Sequence, residues 1–323
     1  MDIVSLGEIL IDMFPVEVGR RLLDVSAFYP KPGGACANVA VAAARLGRQS
    51  AFIGKVGSDA FGTSLIKTMD DNGVDTRGMR VDRKARTTLV FIAMPDENSA
   101  EYVFFRNPGA DLCLEPGELD LELIRGAKVL HCASLLLAGE PARTAQFSAV
   151  EAARNGGALI SFDVNYRPAL WEDANDALEQ TWRMVGLSDL LKVNEQELEL
   201  LTGSRDPQAG GTELLKKGAR LVAVTLGVNG SWYISPGFSG YVPPFPVETI
   251  DAIGCGDSFI ASLLSSLIEI GGDLSSLEEA ELIKCFTYAN AAGALTATNR
   301  GVIPALPTDV QVVKFLKDSD NYR

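Results

Sequence analysis

The chain has 323 residues, 47% of them hydrophobic and 22% charged, with a formal net charge of −13. That length suits one large α/β core with a small appendage, and the apolar fraction is enough to bury it without a disordered arm. The acidic balance argues against nucleic acid or an anionic membrane as partner, since both repel a surface of the same sign, while a local cleft can still gather positive charge around an anionic substrate.

Met1-Asp2-Ile3-Val4 carries no basic region and no apolar run of signal length, so a cytoplasmic protein is expected. Apolar strand-like runs then alternate with amphipathic ones. Strands are predicted at Ile3 to Leu6, Ala51 to Ile53, Lys128 to Leu130, Ala158 to Asp163, Leu190 to Val193 and Leu221 to Thr225. Helices are predicted around Ala37 to Leu46, Ala60 to Met69, Pro141 to Arg154 and Asp176 to Met184. The alternation implies a three-layer α/β/α core around a mostly parallel sheet. Two regions break it: Leu10 to Tyr29, and Arg86 to Phe105, where apolar runs flank the turn-like Pro95-Asp96-Glu97-Asn98. They read as hairpin strands, within about residues 10–30 and 86–106, of a small β-sheet lid over the carboxyl ends of the core strands. Two apolar helices, Gly254 to Ile270 and Ser276 to Ala297, close the chain. No repeat or flexible linker divides it, so residues 1–323 read as a single domain.

The five cysteines (Cys36, Cys113, Cys132, Cys255, Cys285) are scattered and never spaced as CxxC, which indicates neither a disulfide framework nor a zinc site. The single histidine, His131, is expected to be a strand-end residue with a satisfied ring, and its solitude removes most metal and Ser/His schemes.

The segment richest in chemistry is Asp251-Ala252-Ile253-Gly254-Cys255-Gly256-Asp257-Ser258-Phe259, a small-residue turn opening into an apolar helix. Helix starts leave unpaired N–H groups with partial positive charge, and glycines let an anion approach the main chain. From spacing alone two readings stand: an anion site with Asp257 as an acid beside it, or an ordinary N-cap closed by a tight turn. The sequence has no GxxxxGK[ST], no complete GxGxxG here, and no protein-kinase HRD or DFG.

This segment resembles the second signature of the ribokinase-like carbohydrate kinases, Asp-Thr-x-Gly-Ala-Gly-Asp, with Ala252 for the usual Thr and Cys255 for the usual Ala. The first signature is also similar: Gly33-Gly34-Ala35-Cys36-Ala37-Asn38-Val39-Ala40, continuing to Gly54-Lys55-Val56-Gly57-Ser58-Asp59-Ala60-Phe61-Gly62, with Cys36 where Pro or Gly is common. The resemblance covers nearly the whole chain. It implies Asp257 as catalytic base and an anion hole from the amides of Gly254, Cys255 and Gly256. It implies sugar binding by Asp12, Gly33, Gly34 and Asn38. Lys192-Val193-Asn194-Glu195-Gln196-Glu197 resembles the family's Asn-x-x-Glu motif, so Asn194 and Glu197 would help place phosphates and, indirectly, Mg2+. Val224-Thr225-Leu226-Gly227-Val228-Asn229-Gly230 resembles the nucleotide turn, giving Thr225, Gly227 and Gly230 as ATP contacts, with Asn290 on the adenine side. Asp251 matches a carboxylate that holds a monovalent cation such as K+ beneath the loop, together with carbonyls near Gly301.

Substrate choice rests on Arg106-Asn107-Pro108-Gly109-Ala110-Asp111 and on the segment Phe162 to Trp171, which contains Arg167. Both resemble fructokinases, and also 2-keto-3-deoxygluconate kinases, whose paired arginines meet a carboxylate. The Gly-Ala-Asp after Arg106-Asn107-Pro108 is the more fructokinase-like feature. The expected activity is transfer of the γ-phosphoryl group of ATP to the 6-hydroxyl of fructose. A sugar-acid kinase and a catalytically silent sugar- or nucleotide-binding relative are the alternatives. The lid offers an edge through which a homodimer could form.

Overall fold

Residues 1–17, 19–96 and 99–319 are described by the computed structural model. The first part of the chain gives β1 (Ile3–Leu6), β2 (Leu10–Pro15), β3 (Phe28–Gly33), α1 (Ala35–Arg45), β4 (Ser50–Gly57), α2 (Ala60–Asp71), β5 (Asp75–Asp82), β6 (Leu89–Asp96) and β7 (Ser99–Phe105). The middle gives α3 (Leu121–Arg125), β8 (Val129–Ala133), α4 (Ala142–Asn155), β9 (Leu159–Asp163), α5 (Ala174–Val185), β10 (Leu190–Asn194), α6 (Glu195–Thr202), α7 (Pro207–Lys216), β11 (Leu221–Thr225), β12 (Ser231–Ile234) and β13 (Ser239–Val242). Four helices follow: α8 (Cys255–Glu269), α9 (Glu279–Ala297), α10 (Val302–Ala305) and α11 (Asp309–Asp318).

Nine strands form one sheet in the order β13-β12-β11-β10-β9-β8-β1-β4-β5. Its body is parallel, and β12 runs antiparallel near one edge. Successive residues of a strand face opposite ways, so β1 sends Ile3 into one core and Val4 and Leu6 into the other. The first core packs Phe52, Val39 of α1, Ile260 and Leu263 of α8, and Phe286 of α9. The second packs Ile160, Phe162, Leu191 and Val222 against Ala145 and Ala149 of α4. Burial on both faces explains the near-continuous apolar runs of the central strands. The expected three layers are therefore present.

The lid is a separate four-stranded sheet, β3-β2-β6-β7, with a small core of Leu10, Phe14, Val90 and Ile92. Strand β3 runs past the expected boundary near residue 30, to Gly33, so a lid strand leads directly into the Gly33-Gly34 turn. Pro95 and Asp96 belong to the end of β6; Glu97 and Asn98 of the expected turn lie outside the described residues.

Three strands escape sequence reading. β5 is an edge strand of mostly half-exposed residues whose charges dilute any apolar period, and β12 and β13 have only four residues each. His131 is a correction. It lies inside β8 and is fully buried, with Nδ1 3.0 Å from Ser161 Oγ, but Nε2 has no protein partner among the described residues. Burial holds the ring neutral, its pKa pushed down to about 4. Among the described residues no helix is long and apolar enough to cross a membrane.

Candidate active site

The carboxyl ends of the parallel strands bring the two signature segments together. Asn38, in the first turn of α1, donates from Nδ2 to Asp257 Oδ2 at 2.8 Å, joining residues 219 apart in sequence. Its Oδ1 is buried with no protein partner among the described residues, so an acceptor remains beside Asp257. Asp12 lies on β2 beside Gly33, and a Cβ at Gly33 would meet its carboxylate, so glycine there leaves the Asp12 oxygens their present place. Glu8, between β1 and β2, accepts from the amide of Ala35 and so fixes the start of α1. Three carboxyl groups are therefore buried close together. Burial, then the charges of Asp257 and Glu8, push Asp12 up to about 7 against the pull of Arg167. Burial likewise raises Asp257 to about 6, with the Asn38 hydrogen bond opposing the rise.

The turn before α8 has the features of an anion site. Gly254 has φ +83° and a Cβ there would collide with Val302, so no other residue fits the turn unstrained. The amides of Gly254, Gly256 and Asp257 have no acceptor in the protein among the described residues. These donors stand at the positive end of a 15-residue helix. Asp257 thus does not spend its carboxylate on an N-cap bond; it faces Asn38 instead. Asp251 ties the turn down, accepting from Ile253 at 3.0 Å and from Gly301 at 3.1 Å. Cys255 is partly exposed, with Sγ 3.9 Å from the Asp251 carbonyl oxygen. Burial, then Asp251 and Asp257, push its thiol up to about 12.

The remaining predicted residues surround the same strand ends with different roles. Asn194 and Glu197 form a reciprocal capping box on α6, and Glu197 also accepts from the Tyr166 amide at 2.9 Å. Glu197 is thus buried, unlike the surface charge that its helical position alone would imply. Thr225 ends β11, and Gly227 and Gly230 bracket the turn into β12. Asn290 is turned inward: Nδ2 donates to the carbonyls of Val242 and Pro243 at 3.2 and 3.1 Å, and Oδ1 accepts from Ser231. Its amide holds the wall of the turn in place.

The two arginines differ sharply. Arg106 is almost fully buried and donates from both Nε and Nη2 to Asp111 Oδ2, the former at 2.8 Å, while Thr88 donates to Asp111 Oδ1. Its charge is thereby neutralised within the protein, with Nη1 left unpartnered among the described residues. Arg167 is half-exposed, donates among the described residues only to the Tyr166 carbonyl, at 3.1 Å, and acts electrostatically on both Asp12 and Asp257. It follows Asn165, the one non-glycine residue with positive φ (39°) among the described residues, at the end of β9.

Sequence reasoning assigns no site role to Glu8, Asp163 or Lys192, and marks Asp111 only as part of the Gly-Ala-Asp that follows Arg106-Asn107-Pro108. The available signal is a charge inside an apolar strand run, as in Leu190-Leu191-Lys192-Val193. A groove of about 480 Å³ between α4 and α5, lined by Arg143, Phe147 and Arg183, includes none of the site residues.

The sequence matches the pfkB family carbohydrate kinase profile over residues 1–309, and the chain belongs to that family. The protein is a phosphotransferase acting on a sugar. It is 44% identical over 317 residues to a probable fructokinase-2 of Arabidopsis thaliana, covering 98% of this chain and 95% of that relative. A fructokinase with bound ATP from Xylella fastidiosa superposes with TM-score 0.90 at 30% identity over 98% of both chains. A double-mutant fructokinase from Vibrio cholerae with fructose, ADP and potassium ion bound gives 0.86 at 32% identity over 97% of each.

Proposed function

We propose that the protein transfers the γ-phosphoryl group of ATP to the 6-hydroxyl of fructose, with Asp257 as general base. The observation that carries this reading is the Asn38–Asp257 hydrogen bond, which orients a carboxylate beside the three amides that have no acceptor among the described residues. A pKa near 6 leaves that carboxylate ionised at neutral pH yet basic enough to take a hydroxyl proton. The amides of Gly254, Gly256 and Asp257 stabilise charge on the phosphoryl oxygens, the Cys255 amide being spent on the Ala252 carbonyl, and Asp12, Asn38 and the Gly33-Gly34 backbone orient the sugar. Thr225, Gly227 and Gly230 border the nucleotide, with Asn290 supporting their turn.

Fructose is favoured over a sugar acid by charge. Arg106 is neutralised by Asp111, and at Asp12 the charges of Asp257, Glu8 and Asp251 oppose that of Arg167, so a carboxylate on the sugar would add to the acidic groups already there. Among the described residues no cluster of three His, Cys, Asp or Glu side chains could cage a metal. Mg2+ would be held largely by its own waters and the phosphates, with Glu197 and Asn194 the residues that would steady it. When bound, it neutralises phosphate charge. Asp251 and the Gly301 turn fit a monovalent cation such as K+, because the carboxylate is already held rigidly against that turn. The test is an ATP-dependent phosphorylation screen over neutral sugars and sugar acids, with the product's phosphate position read by 31P NMR; a product other than fructose 6-phosphate from fructose would reject the reading.

A further inference from the structure

The reading above leaves the buried ion pair of Lys192 and Asp163 without a task. Parallel pairing of β10 with β9 sets the two residues side by side. Lys192 Nζ lies 3.0 and 2.9 Å from the two Asp163 oxygens, with the side chains only 7% and 1% exposed. An ammonium has three N–H donors, and the third has no acceptor in the protein among the described residues. On its other side Nζ meets the first turn of α8: a Cβ on Gly256 would stand 3.1 Å from it. Asp257 and Glu197 also act on its charge, which burial alone would suppress.

Burial opposes the ammonium, but Asp163, Glu197 and Asp257 together outweigh it and keep Lys192 charged, while its third donor is left unused among the described residues. A cation beside a helix N-terminus is repelled by the helix's positive end, and a dry ion pair gains little once desolvation is counted. An anion between the helix amides and the ammonium would turn both interactions favourable. We infer that Lys192 is a catalytic residue whose ammonium, held by Asp163 against the open side of Gly256, binds the phosphoryl group as it passes to the sugar. Asp163 is its positioning residue. The inference rests on the phosphoryl transfer proposed above. In that step the sugar oxygen forms a bond to the γ-phosphorus while the bond from phosphorus to the β,γ-bridging oxygen breaks. The bond pair leaves with ADP, the hydroxyl proton passes to Asp257, and Lys192 keeps all its protons.

The test compares the full chain with K192R and with K192M/D163N, a double variant that leaves no lone buried charge. Affinities for β,γ-imido-ATP and for ADP are measured by calorimetry with Mg2+, alongside fructose turnover. In the double variant, imido-ATP affinity should fall at least about tenfold and ADP affinity less than about threefold, with kcat down at least about 100-fold and fructose KM little changed. K192R keeps the pair and the charge but displaces it, so its kcat should fall roughly tenfold without a change in Tm. Parent-like imido-ATP binding and turnover in the double variant, or in K192R if the double variant does not fold, would overturn the inference. If the unmodified chain does not phosphorylate fructose, the substrate proposal fails, and the two nucleotide affinities still decide the role of Lys192.

Discussion

The proposed phosphate end and the proposed sugar end of the site are constructed differently. Around Gly254 to Asp257 most donors are main-chain amides from one short turn, fixed by a glycine conformation and by Asp251, with the Lys192 ammonium beside Gly256. At the sugar end the groups are charged side chains from separate elements: Glu8, Asp12, Arg106, Asp111 and Arg167. A main-chain site tolerates side-chain exchange, which is why Ala252 and Cys255 can replace the family's usual residues. A side-chain site depends on charge balance, so substitutions there should redirect specificity or cost stability before they abolish phosphoryl transfer.

The largest break in this comparison should come from Asp257, the side chain on which the two ends converge. D257N should lower kcat by roughly 10²-fold to 10⁴-fold with fructose affinity little changed, measured by steady-state kinetics. In the unmodified enzyme kcat/KM should rise with pH through the range of about 6 to 7, as the interacting Asp12 and Asp257 carboxyls lose their protons. A base is active only when ionised, so the loss is on the acid side. These raised pKa values also mean that the folded state holds its protons more tightly than the unfolded chain. Stability from this pair is greatest below about pH 4 and declines as pH rises towards 7.

The arginines should separate next. R106A strands Asp111 as a buried unpaired charge and should destabilise the fold by about 3–5 kcal/mol in denaturant titration. R167A should spare stability and raise fructose KM by roughly tenfold, since it loses a charged contact worth about 1.5–3 kcal/mol. Equal effects of the two variants on stability would erase the distinction drawn between them. The smallest effect belongs to Cys255. With its thiol pushed up to about 12, alkylation followed by mass spectrometry should be slow and insensitive to ATP, and C255A should keep kcat within about twofold. Fast, ATP-protected modification would instead place the thiol in the phosphate site.

The same division decides what the sequence discloses. Asp257, Gly254 and Asn38 are legible because main-chain sites demand glycines and small residues at fixed offsets, and the layered core is legible because doubly buried strands are apolar throughout. The bond between Asn38 and Asp257 is not, since 219 residues separate them and no periodicity reports it. Arg106 reads as a free ligand for a sugar carboxylate until Asp111 is seen to occupy it. Glu197 reads as surface charge until Tyr166 and Asn194 close over it. Lys192 is hidden because an apolar run absorbs one charge without changing its strand pattern. Edge strand β5 is missed for the opposite reason, too many charges for a strand to be read.

A cleft that joins an amide-lined phosphate site to a pocket for an uncharged sugar should discriminate between two substrates, and kcat/KM for fructose and for 2-keto-3-deoxygluconate, measured side by side with saturating ATP and Mg2+, reads that discrimination. Fructose should be preferred by at least about tenfold, the effect of one misplaced charge-assisted contact. Preference for the sugar acid, or no turnover of fructose, would contradict it.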